Sequence, residues 1–171
     1  MAIHAAHKQR GFLSIDGVFW MMLIAVALGF ILWMSWRMIG NSDVTIEQSN
    51  ISSLIANTKK LKGSTGYGTS GQNLVPSLIN IEGTGSMGIS GTNLVNQWNG
   101  AVTVASNGMT FTITEANVPK SGCITLATKV AKDKQTTTTI NGGSATTGEI
   151  LATAASTSCS SDSNTIAWTT Y

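Results

Sequence analysis

The feature that most constrains this chain is an apolar run placed directly behind an acid. From Gly17 to Trp36 the sequence reads GVFWMMLIAVALGFILWMSW, twenty residues without a charge and with only Ser35 strongly polar. A helix of about 20 residues matches the hydrocarbon thickness of a bilayer. Lys8 and Arg10 precede the run and Arg37 closes it. The leading cations point that end to the cytoplasm, so the remainder faces the periplasm or exterior. Trp20 near one end, and Trp33 and Trp36 near the other, suit the aromatic belts of a membrane interface, and Arg37 can snorkel. Asp16 sits at the start of the run, where a plain anchor has no use for an acid.

Three simpler readings of the run fit less well. A cleaved secretory signal has a shorter apolar core and a small-residue cleavage site after it. Here Trp36-Arg37-Met38 follows instead. A plain signal anchor leaves Asp16 unexplained. A buried core helix needs surrounding segments that the rest of the chain does not supply. Beyond the run, Val44, Ile51, Leu54, Ile55 and Leu61 recur at helical spacing. Glu47, Gln48, Asn50 and Lys59 are expected on the polar side of that stripe. The pattern predicts one long helix over residues 13–62, apolar in its first half and amphipathic in its second, and ended by Gly63-Ser64-Thr65-Gly66. Asn41-Ser42-Asp43 weakens it locally. Gly29 offers either close helix packing or a point of loosening.

The remaining chain is long enough for one compact domain. Net charge is +2, and without Lys8 and Arg10 the other eight basic residues balance the eight acidic ones. No basic patch for nucleic acid is expected. Only 11% of residues are charged, a surface on which identical copies repel little. Cys123 and Cys159 lack the close spacing of a metal site, which leaves a disulfide or two buried thiols. The disulfide is the favoured reading and implies an oxidising compartment. His4 and His7 both precede Gly11, so removal of that leader leaves no histidine for metal binding or base catalysis. No phosphate loop, nucleophile elbow or zinc spacing occurs. Asp43, Glu47, Glu82, Glu115, Asp133, Glu149 and Asp162 form no paired motif and are read as solvated charges. Neither an enzyme nor a cofactor is expected.

Residues 63–97 read as an extended loop with a short element near Leu74–Ile79. Ala101–Ala105 and Met109–Glu115 alternate apolar and polar around Ser106-Asn107-Gly108, a hairpin signal. Short helices are expected over Lys120–Val130 and Gly148–Ser158, and strands over Thr136–Ile140 and Ser163–Tyr171. The tract Lys132–Gly148 is polar and expected to be exposed, as a solvated loop or a displayed surface. The fold class is α+β: a long helix on an antiparallel sheet.

Two regions resemble type IV pilins. The leader ending in Gly11, followed by Phe12-Leu13-Ser14-Ile15-Asp16, resembles a prepilin cleavage site. Trp98-Asn99-Gly100 and its hairpin, Val118-Pro119, Cys123-Ile124-Thr125-Leu126-Ala127, Ser158-Cys159 and the last strand resemble the type IVb pilins of bundle-forming, toxin-coregulated and conjugative thin pili. The resemblance implies a leader 1–11 cut after Gly11 by a prepilin peptidase, and N-methylation of Phe12. It implies a filament-core helix 12–37, an amphipathic half 38–62, and a head 63–171 with a disulfide loop 123–159. Asp16 stands where the family typically has Glu, one methylene longer, and would set subunit stagger through its charge. The implied function is the major subunit of a homopolymeric type IVb pilus for adhesion, aggregation or mating contact. Implied partners are the inner-membrane assembly machinery and a host or recipient-cell receptor. The implied location is the inner membrane, then the surface of a Gram-negative bacterium. Alternatives are a minor pilin, a secretion pseudopilin, or a monomeric anchored periplasmic binding domain.

Overall fold

The computed structural model describes residues 15–171, without the side chains of 15, 16 and 35–41. The described residues fall into two units, divided between Asn41 and Ser42. Helix α1, Ile15–Lys60, contributes to both. It runs through Gly29 and through the Asn41-Ser42-Asp43 stretch without a break. Its end tightens as Leu61 N donates to Thr58 O and Lys62 N to Lys59 O, and Gly63 then pairs with Gly66.

Behind α1 come α2 (Val75–Asn80), β1 (Gly88–Ser90), β2 (Asn93–Val95), β3 (Ala101–Ser106) and β4 (Phe111–Val118). Then follow α3 (Lys120–Lys129), β5 (Thr137–Ile140), β6 (Thr146–Thr147), α4 (Ala152–Ser158) and β7 (Asn164–Thr170). The strands form one seven-stranded antiparallel sheet in the order β1-β2-β3-β4-β7-β5-β6. The last strand is therefore central.

Period-two alternation puts one face of this sheet into the core. Register aligns Leu94, Val102, Glu115, Ile166 and Ile140 as one row across five strands. Val104, Ile113, Trp168 and Thr138 form the next row. All nine side chains are buried. Ile51 and Leu54 of α1 join this core, as do Leu126 and Ala127 of α3 and Ala155 of α4. The opposite face carries Thr103, Thr112, Thr114, Thr137 and Thr169, all exposed or half-buried. Thr112 and Thr169 share a hydroxyl–hydroxyl hydrogen bond across β4 and β7 at 2.8 Å.

Three expectations need correction. Residues 63–97 are not an extended loop with one short element. Besides α2 they contain β1 and β2, and Gly71–Leu74 is laced to β3 by Gly71 N to Ser106 O, Ser106 N to Gln72 O and Leu74 N to Val104 O. Three-residue strands are too short to display an alternation, so tertiary pairing defines them. The Lys132–Gly148 tract is exposed only in part: Thr136, Thr138 and Ile140 turn into the core from β5 and the residue before it. Glu47, Asn50 and Glu115 are not solvated but lie inside the head.

Candidate assembly segment and buried acid pair

The apolar half of α1 is bare. None of the window Gly17–Met34 is buried. Fourteen large apolar side chains from Val18 to Met34 are each 47–69% exposed. Covering a side chain of this kind is worth about 1.5–3 kcal/mol, so the full set represents on the order of tens of kcal/mol. Lipid or neighbouring apolar helices can supply that cover. At Gly29 an added Cβ would meet nothing within 4 Å in the chain.

The residues named from the sequence fall as follows. Gly11 and Phe12 lie outside the described residues. Asp16 is in the first turn of α1, and its side chain is likewise outside them. Cys123 of α3 and Cys159 at the end of α4 are joined in a disulfide, with Cα atoms 5.9 Å apart and both residues fully buried. The loop it closes contains β5, β6 and α4, so one covalent link ties the end of this region back to α3.

A second constellation was not anticipated. Glu47 of α1 and Glu115 of β4 have no solvent exposure. Asn96, in the turn between β2 and β3, donates from Nδ2 to Glu115 Oε1 at 2.9 Å and to the Ala116 carbonyl at 2.8 Å. Its Oδ1 accepts from Trp98 N at 3.0 Å and Gly100 N at 2.6 Å, which pins the turn. The turn lies so close to β4 that a Cβ on Gly100 would collide with the Ala116 carbonyl oxygen. Gln97 N donates to Glu47 Oε2 at 3.1 Å.

Burial raises the pKa of both carboxyls. For Glu47 the Gln97 amide, Asn50 and Glu115 act in the opposite direction. Glu115 is pushed up to about 8, by burial first and then by the Glu47 charge. Glu47 Oε1, Glu115 Oε2 and Asn50 Nδ2 are all buried without a hydrogen-bond partner, and Asn50 and Glu115 both act on Glu47. A proton on Glu115 supplies the missing donor.

The sequence did contain a signal for this pair. The spacing 44, 47, 51, 54 puts Glu47 on the buried stripe and not on the polar side expected from its residue type, and Glu115 shares the inward face of Phe111 and Ile113.

A long helix with a bare apolar half, an antiparallel sheet packed on its second half and a C-terminal disulfide make up the type IV pilin α+β fold. Residues 41–171 match the PilS N-terminal family, and the chain belongs to that family. It is a type IV pilin-like structural subunit, of a kind that polymerises into a filament with assembly machinery. Among curated proteins, none matches the chain.

Proposed function

We propose that this chain is the major subunit of a type IVb pilus. The precursor is held in the inner membrane by the apolar half of α1, with its head on the periplasmic side. A prepilin peptidase cuts after Gly11, and the new N-terminus at Phe12 is methylated. The assembly machinery then moves the helix from lipid into a homopolymer, in which apolar helices replace lipid around one another. The Phe12 amine of one copy meets the Asp16 carboxylate of its neighbour. An unpaired charge in that apolar core is costly, so the pair favours one axial stagger. The filament extends from a Gram-negative cell and serves adhesion, aggregation or mating contact through a surface receptor.

The observation that carries this reading is the bare apolar window Gly17–Met34 on the same helix that anchors the head core through Ile51 and Leu54. Electron microscopy of sheared surface material, with mass spectrometry of its polypeptide, tests it. The expected result is thin filaments built of a chain that begins at methylated Phe12. Solitary chains that retain residues 1–11, with no filaments, would overturn it.

A further inference from the structure

The buried acid pair joins three elements of the head. Glu47 belongs to α1, Glu115 to β4, and Asn96 and Gln97 to the turn between β2 and β3. We propose that the proton shared by Glu47 and Glu115 is a latch that holds the Val44–Ile51 stretch of α1 and the Asn96–Gly100 turn on the sheet, and that loss of this proton releases them. The latch lies within Ser42–Tyr171 and works whether or not the chain polymerises.

The groups facing the pair leave it no other way to balance charge. From α1 they are Glu47 and Asn50, and from the turn they are the Asn96 side chain and the Gln97 amide. On β4 the group is Glu115 itself, whose sheet neighbours Val102 of β3 and Ile166 of β7 are apolar. Among the described residues, no cation is among the groups that act on either carboxyl. A bound metal ion does not suit the set either. Asn96 turns its Nδ2 toward Glu115 and spends its Oδ1 on the turn, and the Gln97 N–H points at Glu47. Such donors suit one carboxylate and one carboxylic acid. When the proton leaves Glu115 for solvent, the hydrogen bond between the carboxyls is lost. Two negative charges then face each other away from water, and separating α1 from β4 hydrates both.

The pH window follows from Glu115. Its pKa is about 8 in the fold against 4.5 as the unperturbed value. The folded head keeps a proton that the unfolded chain releases, so stability is full below the unfolded value and is lost as pH rises through the folded one. Opening of the latch therefore belongs to mildly alkaline conditions.

Hydrogen exchange of the full chain in detergent, followed by mass spectrometry from pH 6 to 9 and corrected for intrinsic rates, tests the latch. Peptides covering 44–51 and 95–102 are expected to gain at least about tenfold in exchange relative to 164–170 across this range. Glu115→Gln is expected to abolish the difference. A parallel rise in all three segments, or an unchanged difference in Glu115→Gln, overturns the proposal. Infrared spectroscopy of the wild-type chain with 13C-labelled glutamate reads the proton directly, without a variant and apart from Asp16. A protonated glutamate band at pH 7 that vanishes by pH 9 is expected. Its absence at pH 7 overturns the proposal.

Discussion

Replacing both cysteines, Cys123→Ala with Cys159→Ala, isolates what the disulfide contributes to the head. The bond spans a sequence separation of 36. On the chain-entropy account a closed loop of this length stabilises the fold by about 4 kcal/mol. Alanine suits the site better than serine, because both positions are fully buried among apolar groups and a hydroxyl there would need a partner. The loop also carries β5, which pairs with the central strand β7 from Thr137↔Thr169 to Ile140↔Ile166, so its release should be felt by the whole sheet. Hydrogen exchange of the β7 amides in the detergent-held chain reads this global stability. A loss of about 4 kcal/mol appears there as a roughly thousand-fold faster exchange. β7 exchange within about tenfold of wild type would refute the entropy argument. So would fast exchange confined to residues 137–158 with β7 unchanged. The bond would then staple a local segment rather than the head.

Three shorter predictions follow from individual residues. Asp16→Asn keeps the size of the side chain and removes its charge; membrane-held chain should persist while filaments on sheared cells disappear from electron micrographs, and normal filaments would count against the charge pair. Tyr67 packs edge-on against Phe111 at 4.9 Å between ring centroids, with its hydroxyl buried and without a hydrogen-bond partner. Tyr67→Phe should stabilise the head by about 1 kcal/mol, read as slower β7 exchange. Gly100→Ala drives a Cβ into the Ala116 carbonyl oxygen, which also accepts from Asn96. It should cost roughly 2 kcal/mol or more, visible as faster exchange in β4 and β7, whereas wild-type rates would show that the turn can shift freely.

What the sequence determined by itself were the features whose signals are local and repeated. The apolar run and the stripe through Val44, Ile51 and Leu54 repeat over many turns, so α1 was legible almost to its last residue, Lys60. The β3–β4 hairpin was legible because Asn107-Gly108 separates two alternating strands, and Asn107 N closes that turn on Thr110 O. Cys123 and Cys159 were an evident pair, although the choice between bond and thiols needed their positions in space.

Only the tertiary structure decided which distant segments meet. The central place of β7 depends on pairing with β4 on one side and β5 on the other, and strand order leaves no mark on a strand's own residues. β1 and β2 exist because β3 offers an edge, not because three residues prefer to be extended. Glu47 and Glu115 illustrate the same physics most sharply. A carboxyl alone is best placed in water, and each was read that way. Burial becomes tolerable only when the Asn96 and Gln97 donors arrive from other elements, and that cost is settled by the assembled core rather than by any short stretch of chain.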